Sequence, residues 1–428
     1  MSEKHRAGNI IQSFNILKGN TRVSVLFEPL WGIPFVLYNF YLSLYMKSQG
    51  ITNQQIGLLI SIGFVTGTFF SLFSGIITDA LGRKRTTLIF DLLSWPVSLI
   101  IYFFAHNFWM FALAQIINSS VRIVAVSWNL MVIEDADNEQ RVAAFNLLNI
   151  ITIATGIITP VSGILVKLMG VPYAERIFLT IATISMTIMI LARNHFYTET
   201  HIGTQIREQH SRKHILDQFK KGLYRDTFAL LKTNSELILI VCILVLFNIY
   251  MLIGTYSSLY FAPYLTEVLG IDKASISILG GVNSGIMLLI FLFVIPVISR
   301  FNMLKNMIAG FIIQAITVLL FTIIPLGNLS AAIINMIIFA VGFSVSRPFI
   351  DALFANSTNG TERAGIYSLS NTIISIFGAI CGLASGYLYK LNPRLLYYIS
   401  FGILLVCMTL ILVLLRKRTS IKAKPLDL

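Results

Sequence analysis

Apolar residues in this chain gather into long runs separated by short polar turns. A run of 18 or more such residues can cross about 30 Å of hydrocarbon as a helix. Twelve runs predict spans at 23–47, 55–78, 86–106, 108–133, 143–168, 175–194, 236–260, 275–298, 306–325, 329–354, 364–388 and 394–415. The predicted fold class is an all-α membrane protein with twelve transmembrane helices and both termini on one side. Residues 195–235 form the one long polar interruption. Within it, Ile215, Leu216, Phe219 and Leu223 recur at helical spacing among basic residues. Two readings stand there, a basic amphipathic helix on the membrane surface and a solvated linker.

The stretches on either side of that interruption read as copies. Leu26-Phe27-Glu28 matches Leu246-Phe247-Asn248 at an offset of 220, and Gly50-Ile51 matches Gly270-Ile271 at the same offset. Arg141, Asn149 and Gly156 match Arg363, Asn371 and Gly378 at 222. Such repeats predict parallel six-helix halves related by an axis along the membrane normal, with a binding site near the midplane. The expected organisation is a bundle over 1–194, a basic linker over 195–235, and a second bundle with a short basic tail over 236–428.

Composition agrees with the pattern. The chain is 56% hydrophobic and 12% charged, against roughly 25% charged in a soluble domain. Its net charge of +13 raises nucleic acid as a partner, but the placement of the cations speaks against it. Of the 32 Lys and Arg, 24 fall in loops on the side of Arg83 and 6 on the other, leaving Arg122 and Arg347 inside apolar runs. This is the positive-inside bias. It predicts cytoplasmic termini, contact with membrane lipid and no nucleic-acid binding. The three cysteines lie in apolar stretches with no metal or disulfide spacing. The first 22 residues are polar and carry no removable signal peptide pattern. There is no Gly-x-x-x-x-Gly-Lys-[Ser/Thr] loop for a nucleotide, so neither an enzyme nor a cofactor is expected.

The most specific motif is Gly75-Ile-Ile-Thr-Asp79-Ala-Leu-Gly82-Arg83-Lys84-Arg85. An acid, two glycines and three cations between apolar runs mark a turn at a membrane surface. The run resembles the loop between the second and third helices of the major facilitator superfamily. That resemblance implies a secondary transporter of two six-helix bundles, with Gly75, Asp79, Gly82, Arg83, Lys84 and Arg85 forming a gating loop. Gly75 is expected to allow close helix approach, and Asp79 to accept bonds from a neighbouring helix N-terminus. The basic run is expected to pair with Glu134, Asp135 and Asp137. The counterpart around Ser299-Arg300-Phe301 lacks the pattern, so the two loops are expected to differ.

Intramembrane polar residues are the next signal, because charge in hydrocarbon is costly and usually lines a cavity or finds a partner. Asn118, Arg122 and Asn129 share one face of the fourth span, and Glu28 lies in the first. In one reading Glu28 couples protons or pairs with Arg122. In the other it is an interfacial residue at the helix entrance. Arg347 and Asp351 stand at i, i+4, either as a self-satisfied pair or with Arg347 as a second cavity cation for an anionic substrate. Asn248 and aromatic residues including Trp31, Tyr38 and Tyr256 are cavity candidates, whereas Tyr45, Tyr102 and Trp109 read as an interfacial belt. Small residues at four-residue spacing mark Gly63, Gly67, Ser71 and Gly75, and again Gly378, Gly382 and Gly386. By the resemblance, these stripes pack the second helix on the eleventh. Gly156, Pro160 and Gly163 resemble part of a fifth-helix antiporter motif, with Thr159 in place of a glycine; a plain proline kink is the other reading.

Together these features predict a monomeric, multi-pass transporter of the plasma membrane. It moves a small organic solute by alternating access, with protons as coupling ion. Export by antiport is favoured over proton-symport import of a sugar or organic anion, and over a solute sensor that transports nothing.

Overall fold

In hydrocarbon every backbone N–H and C=O must find its partner within the segment, so apolar runs of this length fold as helices. The computed structural model describes residues 10–209, 234–357 and 363–423. Among them twelve helices are long and apolar enough to cross a membrane: α1 Gly19–Ser48, α2 Asn53–Leu81, α3 Arg83–Phe104, α4 Phe108–Ile133, α5 Asn138–Met169, α6 Val171–Phe196, α7 Ser235–Ile253, α8 Ser277–Ile298, α9 Met303–Ile323, α10 Leu329–Phe354, α11 Leu369–Leu391 and α12 Leu395–Arg418. The expected amphipathic segment around Ile215 to Leu223 lies outside the described residues.

Several of these helices carry local breaks with identifiable causes. Pro29 lacks an N–H, and α1 turns at Glu28 just before it. A π-turn at Leu93–Val97 contains Pro96 in α3. In α5 a 3-10 turn at Gly156–Ile158 precedes Pro160. The seventh span ends earlier than the predicted 236–260. Its helix stops at Ile253, and a short helical stretch resumes at Phe261–Val268. Gly254 sits at the break, and a Cβ there would run into the Ser400 hydroxyl on α12.

Contacts divide the described chain into two units, residues 10–50 with 62–209, and residues 51–61 with 234–357 and 363–423. In the first unit α1 packs on α5 and α6, and α3 on α4 and α6. In the second, α7 packs on α11 and α12, and α9 on α10 and α12. Each unit thus repeats one neighbour scheme at a shift of six helices. Between helices in lipid, close packing replaces the hydrophobic drive available in water. Tyr41, Tyr45, Phe111 and Phe178 are fully buried in the first unit, and Phe247, Tyr250, Tyr264 and Phe311 in the second. Tyr45 and Tyr102 are therefore core residues, not belt residues. The Tyr45 hydroxyl donates to the Phe103 carbonyl at 3.2 Å, and that of Tyr102 to Gln115 Oε1 at 2.7 Å. Trp109 is 78% exposed, as a belt residue would be.

Candidate functional site

The turn between α2 and α3 is held by a charged cluster inside the first unit. Gly82 adopts φ +85° and ψ 160°, a conformation that glycine tolerates and L side chains rarely do. This turn delivers Arg83, 3% exposed, into the bundle. Its Nη1 lies 2.9 Å from Asp79 Oδ1, and its Nη2 donates to Glu134 Oε1 at 3.0 Å. Nε donates to both Glu134 oxygens at 3.2 Å. The Thr200 hydroxyl also donates to Glu134. The opening N–H groups of α3 point at Glu199. Arg83 N donates to Oε1 at 2.9 Å and Lys84 N to Oε2 at 3.2 Å. A carboxylate at a helix N-terminus is favoured by the unpaired N–H groups and the dipole.

This geometry joins some of the expected residues and separates others. Arg83 pairs with Glu134, one of the acids expected opposite the basic run, and Asp79 joins the same guanidinium. Asp79 does not cap a helix, because Arg83 occupies it and Glu199 does the capping. Lys84 reaches the Tyr197 carbonyl at 2.7 Å, whereas Arg85 is exposed. Asp137 is the N-cap of α5, accepting from Gln140 N at 2.8 Å, so its first-turn role takes it away from the basic run. Nothing lies within 4 Å of a Cβ built on Gly75, so no close approach occurs there. The counterpart loop between α8 and α9 is built differently. Asn302 caps α9 through Leu304 N and Lys305 N, and Arg300 is exposed.

A second charged cluster lies inside the same bundle. Glu28, whose side chain is 12% exposed, pairs with Arg193 of α6. The pair to Arg122 does not form, and Arg122 makes no ion pair among the described residues. Arg122 follows a break in α4 at Ser119–Ser120 and lies against Gly67, 3.5 Å from a Cβ built there. Arg193 also donates to the Ser24 carbonyl at 3.1 Å and stands 5.7 Å from the Trp128 ring centroid. Asp91, 3% exposed on α3, is within electrostatic reach of both Arg193 and Glu28. Tyr197 closes the cluster, its hydroxyl 2.7 Å from Ser24 Oγ. Asn118 donates to the Ser94 carbonyl at 2.8 Å, and Asn129 to its own Ala125 carbonyl at 2.6 Å.

Arg193 and Glu199 were missed as site residues: Arg193 stands in the last turn of the expected span 175–194, and Glu199 in the expected linker over 195–235. A signal for Arg193 does exist. Along α6, Ala174, Phe178, Ala182, Met186, Met189, Ile190 and Arg193 are buried at helical spacing, so the arginine continues the inward stripe. Glu175 begins the same stripe. It is fully buried, and neither of its oxygens has a hydrogen-bond partner.

In the second unit Arg347 pairs with Asp351 at 2.9 Å and lies 5.7 Å from the Phe247 ring centroid. Asn248 donates to its own Leu244 carbonyl at 2.8 Å. At the α7 break, Gly254, Tyr256, Asn335 and Phe339 line a partly open cavity of about 20 Å³, room for roughly one water. The Asn335 oxygen there has no partner. Gly382 and Gly386 of α11 meet residues 53–61 of α2, a contact made within this unit. Ser61 Oγ donates to the Ala379 carbonyl at 2.6 Å. Gly63 instead faces Gln115 of α4 within the first unit. The expected packing of the α2 stripe on α11 is therefore not what these contacts show: Gly63 and Gly67 face α4, and α11 meets α2 earlier, at residues 53–61.

A family model described as Major Facilitator Superfamily matches residues 31–262 and 254–427. The chain is 24% identical over 387 residues to the quinolone resistance protein NorA of Staphylococcus aureus strain Mu50, covering 89% of this chain and 92% of that protein. Among solved structures, the D-xylose-proton symporter is similar at a TM-score of 0.71 and 12% identity, over 94% of this chain and 97% of that one. The nucleoside transporter NupG is similar at a TM-score of 0.66 and 17% identity, over 95% and 99%.

Proposed function

The chain belongs to the major facilitator superfamily, and from that premise we propose that it exports an amphiphilic organic solute across the plasma membrane by proton antiport. The observation that carries the coupling is the Glu28–Arg193–Asp91 cluster. With all three groups ionised, this buried site holds a net charge of −1 in a region where uncompensated charge is costly. Taking up one proton makes it neutral. Glu28 sits at the α1 bend, so its protonation releases Arg193 at the point where the helix is already broken. Asp91 on α3 offers the freed guanidinium a second carboxylate, and Trp128, Ser24 and Tyr197 surround the exchange. In this reading the proton load sets how α1 is held against α3 and α6, and alternating access follows from that change.

The substrate class is supported by the similarity to quinolone resistance proteins over most of both chains. Import of an organic anion is the weaker reading, since Arg347 is already occupied by Asp351.

The test is transport in proteoliposomes carrying a fluoroquinolone or a fluorescent organic cation, with a pH gradient of either sign. Wild type should move solute against the proton gradient, and Glu28→Gln should bind solute but lose pH-driven exchange. Unchanged exchange by Glu28→Gln would remove Glu28 from the coupling step. Solute movement in the same direction as protons would establish symport instead.

A further inference from the structure

A groove on the bilayer-facing side of the first unit carries a charge that nothing in transport uses. Its walls come from Phe103 at the end of α3, Met169 at the end of α5, and Tyr173, Arg176, Ile177 and Ile181 of α6, bordering an open space of about 570 Å³. Chain order puts these ends on the membrane face opposite the start of α1. Arg176 stands five residues into α6, about 7–8 Å along the axis at 1.5 Å per residue, which is headgroup depth. Below it Ile181, Ile184 and Ile188 continue down the helix at one-turn spacing, 44%, 56% and 55% exposed. An apolar stripe left open in this way on a spanning helix is a surface for an acyl chain.

Arg176 has no anionic partner among the described residues. Its guanidinium lies 5.8 Å from the Phe103 ring centroid, and its Nε is buried with no hydrogen-bond acceptor. Glu175, its neighbour in sequence, does not neutralise it, because that side chain belongs to the fully buried inward stripe. The groove therefore holds one uncompensated positive charge between apolar walls, with the exposed ring of Tyr173 at its rim. A comparable groove in the second unit, lined by Leu320, Ile323, Ile334 and Ile338, has no charged lining residue.

We propose that the Arg176 groove is a binding site for an acidic glycerophospholipid, with its phosphate on Arg176 and one acyl chain along the Ile177–Ile188 stripe. Guanidinium matches the geometry of phosphate oxygens. A lipid of net charge −1 neutralises the groove, whereas a zwitterionic lipid leaves it charged.

The test is native mass spectrometry of the full chain in mild detergent, titrated with equal amounts of dioleoyl phosphatidylglycerol and dioleoyl phosphatidylcholine. Wild type should favour the acidic lipid roughly fivefold, the preference that corresponds to about 1 kcal/mol for one cation near a charged membrane surface. Arg176→Gln should bind both lipids equally, and Arg176→Lys should keep most of the preference. Lys167→Gln, which removes an exposed cation from the last turn of the α5 helix, should change nothing. Ile181→Trp, which fills the groove without touching the charge, should weaken binding of both lipids. Equal binding by wild type would overturn the proposal. So would a preference that survives Arg176→Gln, or one lost equally in Lys167→Gln. Glycerol 3-phosphate competing as well as the lipid would show an anion site without a lipid role, and would overturn it too.

Discussion

Gly82→Ala places a methyl group where the structure holds a carboxylate. A Cβ built on Gly82 lies 2.5 Å from Glu199 Oε2 and 3.1 Å from its Cδ. The backbone at φ +85° adds strain of about 1–3 kcal/mol for any residue with a side chain. Glu199 cannot simply swing aside. Its oxygens accept from Arg83 N and Lys84 N at 2.9 and 3.2 Å, and a Cβ on Gly203 would sit 2.6 Å from Oε1 on the other side. Each hydrogen bond to a charged group contributes about 1.5–3 kcal/mol. Taking the low end of that range for a cluster at the membrane surface, Gly82→Ala should cost about 4–6 kcal/mol and Glu199→Ala about 3–4 kcal/mol. The double variant removes the collision but keeps the backbone strain and still lacks the two Glu199 hydrogen bonds, so it should cost about as much as Gly82→Ala alone. The coupling is then about 3 kcal/mol, within the range seen for residues in contact. Reversible unfolding in mixed micelles, followed by tryptophan fluorescence, reads all three values. Single-variant losses that add to within about 0.5 kcal/mol would refute the reasoning, since Gly82 and Glu199 would then be independent.

Two further outcomes follow from buried and capping carboxyls. Glu175→Leu should raise stability by about 1–3 kcal/mol, the cost of an unsatisfied buried polar group, in the same unfolding assay; a loss of that size would mean that the carboxyl has a partner in the membrane-embedded protein. Asp137 lies outside the membrane-spanning segments, and the Gln140 backbone N–H holds its carboxyl below the usual carboxylate range. A lowered value in the folded state means that its stabilisation is complete above about pH 4 and fades as pH falls through the lowered value. The thermal midpoint of wild type should exceed that of Asp137→Ala at neutral pH and converge with it in acid, and a gap that persists there would contradict the cap.

Much of the site was legible before folding because membrane turns are chemically abrupt. Asp79 and Arg83 stood out as charge between apolar runs, and their proximity at i, i+4 is local geometry. Glu134 was recognisable as an acid at the end of a span on the same side. Arg193 and Glu199 were not recognised, because a cation or acid at a helix end usually reaches toward water. Only the burial stripe on α6 distinguishes Arg193 from such a residue. Arg122 misled for the opposite reason. Mid-span charge suggested a partner, yet Arg122 makes no ion pair among the described residues and lies against Gly67.

The sequence alone determined the number and order of helices, the repeat and the family. Lipid demands long apolar runs, and the gating loop cannot lie among them. Which side chains meet was decided only by tertiary structure. Glu28 and Arg193 are 165 residues apart, and Arg83 and Glu199 are 116 apart. Helical periodicity says which face of a helix is buried, but not which neighbour covers it. In this chain that neighbour is chosen by bends at Pro29 and Gly82 and by packing of small and large side chains. Those choices placed the buried acid against Arg193 rather than Arg122.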